Sequence, residues 1–339
     1  MSEEPGPIVC FGEVLLRLAA APGVPLASAN SLDLVVGGAE ANVAAALAGL
    51  GLPARILTCL PDNPLGRRAV SAIRSTGVDT RHAVSVPGRI GLYFYEPPAG
   101  PNPGRVTYDR DGSAFGLASP AVLPIADALA GARLLHMSGI TPALGPGGTA
   151  LARAVVGAAR EAGVPVSFDG NYRANLWSAW DSDPRAILAE LVGGAQVMFG
   201  NHRDISLLLG RTFSGDGPDR RREAAEAAFE AFPDLLLIAS TARRVESGGI
   251  HHIAARVDMR DDHWQTAEVK VENIVDRIGT GDAFAAGVLH AYLSGEGVRE
   301  AARSGLALAA MKHGVAGDQI VVTAGELAAF NHDAGDIRR

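Results

Sequence analysis

Short apolar runs alternate with alanine-rich stretches along most of this 339-residue chain, and this alternation constrains the fold more than any other feature. The apolar runs contain no regular polar alternation, so both faces of each strand are expected to be buried, as in a parallel sheet covered by helices on both sides. The sequence therefore predicts an α/β domain with three layers, α/β/α. The predicted strands are residues 8–11, 55–59, 134–137, 164–169, 196–199 and 235–239, and the predicted helices are residues 39–50, 64–75, 148–162, 184–192 and 220–231.

Two segments, residues 15–36 and 89–115, lack this alternation and show no helical periodicity. We expect them to form a small β-sheet lid inserted into a large domain that comprises residues 1–14, 37–88 and 116–330. Three of the five tyrosines, Tyr93, Tyr95 and Tyr108, lie in this lid. A rigid ring with a polar tip suits a lid that closes over a polar ligand, although packing or interface roles are also open.

Composition narrows the class of protein. Hydrophobic residues make up 47% and charged residues 20% of the chain, which is ordinary for a folded protein. The net charge of -7 argues against non-specific binding to nucleic acid or to an anionic membrane. Only Lys270 and Lys312 are lysines, and no P-loop motif is present. The two cysteines, Cys10 and Cys59, provide no disulfide framework, and residues 1–7 carry no basic charge, so we expect a soluble cytoplasmic protein.

The sharpest motif lies late in the chain, where Gly279-Thr280-Gly281-Asp282 precedes an alanine-rich helical stretch. Glycines at a helix start leave backbone N–H groups free at the positive end of the helix, which is an anion-binding arrangement. Asp282 either stabilises the helix N-terminus or acts as a general base on an alcohol, while the amides stabilise a transferring phosphoryl group. A dinucleotide fingerprint is disfavoured because Phe284 stands where a third small residue is required.

A second glycine motif lies early in the chain, at Gly37-Gly38-Ala-Glu-Ala-Asn42. Paired glycines permit close approach of the backbone to a ligand, and the Asn42 amide can hydrogen-bond a sugar hydroxyl. Taken alone, the motif is more typical of a simple turn that begins a helix.

Together, the two motifs resemble the signatures of the ribokinase (PfkB-type) family of sugar kinases, in the expected order and over nearly the whole chain. The resemblance implies a ribokinase-like three-layer domain with a β-sheet lid, ATP as phosphoryl donor and Mg²⁺ as cofactor. It also implies that Asp282 is the base and that the amides of Gly279, Thr280 and Gly281 form the anion hole.

Within this family the chain most resembles the 2-keto-3-deoxygluconate kinases. The lid stretches around Tyr93, Tyr108 and Arg110 and the later stretch around Arg173 carry that likeness. A guanidinium group can hold a carboxylate through paired hydrogen bonds, whereas a neutral sugar offers it no such role. The resemblance therefore implies substrate binding by Gly37, Gly38, Asn42, Tyr93, Tyr108, Arg110 and Arg173.

The presumed nucleotide side departs from the family pattern. Asn201 and Asp204 stand where relatives carry Asn and Glu, and Asn201 is equally suited to cap a helix. After Ser240 the chain lacks the Lys-x-Gly-x-x-Gly turn of many relatives, and Arg243 or Arg244 is a candidate to supply the missing charge. The resemblance implies nucleotide binding by Asn201, Asp204 and Ser240, with no direct protein ligand to a metal. Separately, we assign His251, His252 and His263 to a polar loop rather than to a metal site.

The combined expectation is an ATP-dependent kinase that phosphorylates the C6 hydroxyl of 2-keto-3-deoxygluconate. The alternatives are a kinase for a neutral sugar of the fructose or ribose type and a non-catalytic sugar-acid binder. Because lid sheets with free edges invite pairing with another subunit, we also expect a homodimer formed through the lid.

Overall fold

The computed structural model describes residues 6–100, 102–247 and 249–330. The described strands are β1 Ile8–Phe11, β2 Leu15–Ala19, β3 Asp33–Gly37, β4 Ala54–Pro61, β5 Asp79–Val86, β6 Gly91–Glu96, β7 Arg105–Asp109, β8 Leu134–Ser138, β9 Val166–Asp169, β10 Val197–Phe199, β11 Leu237–Ser247, β12 Ile250–Met259, β13 His263–Gln265 and β14 Val269–Val271. The α-helices are α1 Ala39–Gly49, α2 Pro64–Ser75, α3 Ile125–Leu129, α4 Ile140–Ala143, α5 Pro146–Glu161, α6 Ala174–Trp177, α7 Pro184–Val192, α8 His202–Leu209, α9 Gly217–Ala231, α10 Thr280–Leu293, α11 Val298–His313 and α12 Ala324–Ala328.

The large sheet contains a parallel run in the order β5-β4-β1-β8-β9-β10-β11, as the apolar strands predict. Strand β1 shows why its residues are apolar without alternation. Ile8 and Cys10 pack into the core on one face of the sheet, whereas Val9 and Phe11 pack into the core on the other face. Helices cover both faces, and the predicted three-layer α/β/α class is confirmed.

The sheet differs from the prediction at its β11 end. Strand β11 continues to Ser247 and forms a long antiparallel hairpin with β12, to which β13 and β14 also pair. This part of the sheet is mixed rather than parallel. The apolar run at residues 235–239 marked only the start of β11, because the extension at residues 240–247 is polar and carries no burial signal.

A second sheet, in the order β3-β2-β6-β7, lies beside the first. Tyr93 and Tyr95 of β6 are buried against Leu15 and Ala19 of β2, whereas Tyr108 of β7 remains exposed. These four strands lie in the chain where the lid was expected, with β3 ending at Gly37. The division into a large domain and a closing lid stays a prediction.

Buried ion pairs join the second sheet to the loops of the large one. The Arg17 guanidinium of β2 lies 2.8 Å from an Asp276 oxygen and 3.1 Å from an Asp318 oxygen. The Tyr93 hydroxyl donates to the other Asp318 oxygen at 2.5 Å. Since all four side chains are buried, these contacts fix β2 and β6 against the segments that hold the two aspartates.

Helix length and hydropathy bear on the membrane question. Among the described residues, no helix combines the length and the apolar character needed to cross a bilayer.

The Arg17 cluster generates a stability prediction. Arg17→Met leaves Asp276 and Asp318 buried without their cation, so we expect the free energy of unfolding to fall by about 3–5 kcal/mol. Urea denaturation at neutral pH measures this change. The matched control is Arg153→Met, because Arg153 forms a half-exposed pair with Glu190 and its loss is expected to change stability little. Equal stability of the two variants would refute a structural role for the Arg17 cluster.

Candidate functional site

A cavity of about 820 Å³ lies between the carboxyl ends of the parallel strands and the second sheet. Residues that follow β9 and β10 line it, together with residues of β11 and the first turns of α1 and α10. Ligands of open α/β sheets bind at this edge, because loops diverge there and helix N-termini point toward it.

The α10 N-terminus faces this cavity, and of its first amides that of Thr280 donates weakly to the Arg277 carbonyl at 3.4 Å. Gly279 precedes the helix with φ of 81°, and a Cβ at this position would lie 1.9 Å from the Asp318 carbonyl oxygen, so a side chain is excluded there. A Cβ on Gly281 would meet open space. Amides in the first helical turn have no carbonyl four residues earlier to bind. The arrangement can therefore hold an anion at Gly279–Asp282, all of which line the cavity.

Asp282 lies in the first turn of α10 and accepts a hydrogen bond of 2.7 Å from the Asn42 side chain of α1. Burial raises the pKa of Asp282 to about 6, and the Asn42 hydrogen bond opposes that rise. A carboxyl with a pKa near the working pH is suited to accept a proton from an alcohol.

Two further carboxyl groups lie close by, and sequence reasoning did not select them. Burial raises the pKa of Asp169 to about 8, and the nearby Asp282 and Asp204 charges raise it further. Burial raises the pKa of Glu40 to about 7. Asp169 carried a usable signal, since it ends strand β9 at the ligand-binding edge of the sheet. Glu40 carried none, because an acidic residue at a helix start is common.

The residues from the second sheet and its loop converge on the same cavity. Tyr93, Tyr108 and Arg110 all line it, and the two tyrosine rings lie 6.1 Å apart. The guanidinium of Arg110, however, is engaged in a buried pair with Glu13, with nitrogen–oxygen distances of 2.8 and 2.6 Å. Glu13 follows β1 and is 97 residues away in the chain, so this pairing was not visible in the sequence.

Arg173 differs from Arg110. It caps the short helix α6, is exposed to the cavity, and forms no ion pair or side-chain hydrogen bond with any residue in the described ranges. Its charge lowers the pKa of Asp169, Asp204 and Asp282. Arg173 is therefore a cation that remains available to a ligand.

The two glycines of the early motif have different positions. Gly38 lines the cavity and has φ of 137°, a conformation that strains other residues. Gly37 is not among the lining residues. A Cβ on Gly37 would lie 2.0 Å from an Asp318 carboxylate oxygen, so this glycine permits close packing against Asp318.

A second cavity of about 670 Å³ adjoins the first and shares part of its wall, including Asn201, Ser240, Thr280 and Gly281. Asn201 and Asp204 form a capping box at the start of α8: the Asn201 Oδ1 accepts the Arg203 N–H at 2.8 Å, and the Asp204 carboxylate accepts the Asn201 N–H at 2.8 Å. The helix-cap interpretation of Asn201 thus holds, and both residues nevertheless line the first cavity, with Asn201 also in the second.

Comparison with known proteins agrees with this geometry. Residues 7–324 match the family model described as pfkB family carbohydrate kinase. The chain is 36% identical to a 2-dehydro-3-deoxygalactonokinase of Haloferax volcanii over 94% of this chain and 95% of that protein. The chain belongs to the pfkB family of carbohydrate kinases.

Two other relatives support the same placement. A 2-dehydro-3-deoxygluconokinase of Thermoproteus tenax is 31% identical over 92% of this chain and 89% of that protein. The crystal structure of 2-dehydro-3-deoxygluconokinase from Thermotoga maritima superimposes with a TM-score of 0.90 at 33% identity, covering 95% of this chain and 98% of that chain. The predicted family and ribokinase-like fold are confirmed, and the protein is a carbohydrate kinase that uses ATP.

The raised pKa of Asp282 generates a prediction for this kinase that needs no substrate. An ionised Asp282 destabilises the fold above pH 6, and the penalty disappears as the pH falls from about 6 toward the ordinary value of 3.8. Asp282→Asn is therefore expected to be more stable than the parent by about 2 kcal/mol at pH 8, with the gain shrinking toward pH 4. Denaturant titrations at several pH values measure the gain, with the exposed Asp261→Asn as control. A constant difference at all pH values would contradict the burial of this charge.

Proposed function

We propose that the kinase transfers the γ-phosphoryl group of ATP to the C6 hydroxyl of 2-keto-3-deoxygluconate. The observation that carries the proposal is the unpaired Arg173 in the cavity that also contains Asp282. A free guanidinium in a sugar pocket matches the carboxylate of a sugar acid and leaves a neutral hexose without a counterpart. The names of the Thermoproteus tenax and Thermotoga maritima relatives support this class of substrate.

Each site residue has its own role in binding the sugar acid. Arg173 binds the carboxylate, and Gly38, Asn42, Tyr93 and Tyr108 contact the hydroxyl-bearing chain. Arg110, held by Glu13, keeps a fixed orientation and can donate its remaining N–H groups. Gly37 lies behind this surface and lets Asp318 approach.

Asp282 removes the proton of the C6 hydroxyl as its oxygen attacks the phosphorus atom. The amides of the α10 N-terminus face the oxygens of the transferring group and stabilise the charge that develops on them. On the ATP side, Asn201, Asp204 and Ser240 line the wall shared by the two cavities or lie beside it. Closure of the second sheet over the sugar excludes water from the phosphoryl group.

The donor set fits a weakly protein-bound Mg²⁺. The described residues contain no group of three or more His, Cys, Asp or Glu side chains that could hold a metal. A Mg²⁺ ion that is bound mainly by phosphates and water needs only one or two carboxylates, and Asp204 and Asp169 line the cavity. When bound, such an ion neutralises phosphate charge.

A substrate panel tests the function. We expect the highest kcat/KM with 2-keto-3-deoxygluconate, and the panel includes its C4 epimer 2-keto-3-deoxygalactonate, because the Haloferax volcanii relative is named for that acid. In Arg173→Met, KM for the sugar acid is expected to rise about 10–100-fold, since a charged hydrogen-bond pair is lost. Coupled ADP release measures both quantities, with Arg153→Met as control. Preference for fructose or ribose, unaffected by Arg173→Met, would favour the neutral-sugar alternative.

Asp282→Asn also tests the proposed base. We expect turnover to fall about 10²–10⁴-fold while the sugar acid still binds, because only proton removal is lost. Calorimetric titration of the variant with the sugar acid separates binding from chemistry. Turnover near the parental rate would remove Asp282 from this role.

We further propose a homodimer formed through the second sheet. Strands β3 and β7 are the edges of that sheet in the described chain, and unpaired edges favour association with another copy. Sedimentation is expected to give twice the chain mass of 35.0 kDa. A monomer at micromolar concentration would contradict this assembly.

A further inference from the structure

The triphosphate of ATP needs cationic partners, and neither lysine of the chain supplies one from the cavity wall. Lys270 is on β14 and pairs with Glu272 at 2.5 Å. Lys312 is fully buried in α11, and its ammonium group donates to the Val315 carbonyl at 2.8 Å. Neither residue is among those that line the two joined cavities.

Arg243 and Arg277 stand at that wall without partners. Arg243, on β11, lines both cavities, and Arg277, in the loop before Gly279, lines the larger one. Neither side chain forms a hydrogen bond or an ion pair with a residue in the described part of the chain, and the Arg277 Nε is buried without an acceptor. Arg244, the other candidate at this turn, is instead paired with Glu268 at 3.2 Å and lines neither cavity.

The two arginines lie near enough to repel one another. Partial burial and the Arg277 charge hold the pKa of Arg243 below its usual value. Burial, and to a smaller extent the charges of both arginines, lowers the pKa values of His251 and His313, whose rings meet edge to face at 5.9 Å. The nearest acidic neighbour in sequence, Asp276, is already bound to Arg17 and to the amides of Ile278 and Gly317. The cavity wall at Arg243 and Arg277 therefore carries positive charge that no acidic side chain of the described residues neutralises. A bound anion would reduce the repulsion between the two guanidinium groups.

We propose that Arg243 and Arg277 bind the β- and γ-phosphates of ATP where the two cavities meet. Thr280 and Gly281 of the anion hole belong to both cavity walls, as does Arg243, so phosphates that extend from the smaller cavity toward Asp282 pass this pair. Two guanidinium groups can each donate paired hydrogen bonds to phosphate oxygens. The proposal rests on the ATP-dependent activity and deepens it by naming the groups that hold the polyphosphate.

Equilibrium binding of nucleotides to the full chain tests the pair without any sugar. In Arg243→Met, the affinity for ADP and for a non-hydrolysable ATP analogue is expected to fall about 10–100-fold, while the affinity for AMP is unchanged. Arg277→Met is expected to behave likewise, and the double variant to lose less than the product of the single losses, because the two groups share one ligand. Arg243→Lys is expected to recover part of the affinity. Arg244→Met is the matched control, with parental affinities.

The outcomes separate this proposal from the proposed function. ADP affinity equal to the parent's in Arg243→Met overturns the phosphate assignment, even if the sugar acid is phosphorylated normally. Equal weakening of AMP and ADP also overturns it, because the arginines would then act elsewhere on the nucleotide or on the fold. Loss of ADP affinity in a protein that phosphorylates only neutral sugars supports the arginine pair and refutes the sugar-acid substrate. Thermal melting of each variant verifies folding. If Arg277→Met does not fold, the ADP affinity of Arg243→Met alone decides the phosphate assignment.

Discussion

The buried Arg17 guanidinium, held between Asp276 and Asp318, is the interaction on which the geometry of the cleft depends. Arg17 belongs to the second sheet, Asp276 to the loop before the anion hole, and Asp318 to the segment after α11. Asp276 accepts the Ile278 and Gly317 amides, and the Asp318 carbonyl lies against Gly279. One cation therefore holds three parts of the chain together: strand β2, the loop before α10 and the segment after α11. A buried charge cluster of this kind is stable only while complete, which makes it sensitive to the loss of any member.

The candidate site concentrates carboxyl groups at a cost in stability. Asp282, Asp169 and Glu40 all have raised pKa values, with burial as the leading cause; Asp282 and Asp169 line the larger cavity, and Glu40 is close enough to Asp282 to interact with its charge. Such crowding is typical of catalytic sites, where a carboxyl must accept a proton near neutral pH. The unpaired arginines provide the opposite charge. Arg173 lowers the pKa of Asp282, and an anion bound at Arg173 would weaken that effect.

An acidic protein with a net charge of -7 that handles anionic substrates must attract them locally. The structure shows how this is arranged. Many arginines outside the cleft are paired with carboxylates, as Arg89, Arg153 and Arg222 are. Arg173, Arg243 and Arg277 are not paired in this way within the described chain, and all three line the larger cavity. Unpaired cations in the wall of one cavity can attract an anionic ligand without a basic surface elsewhere.

The sequence by itself determined the α/β/α class, the bounds of α2 and the glycine motifs that begin α1 and α10, because burial on both sheet faces and glycine-dependent backbone are local signals. It could also place most of the proposed site residues, since the two motifs and the lid stretches carry them. Only the tertiary structure decided which arginine is free. Glu13 pairs with Arg110 across 97 residues and Glu268 pairs with Arg244, whereas Arg173 and Arg243 line the cavity with no carboxylate partner among the described residues. Ion pairing depends on distance in space, and the spacing of residues along the chain does not encode it.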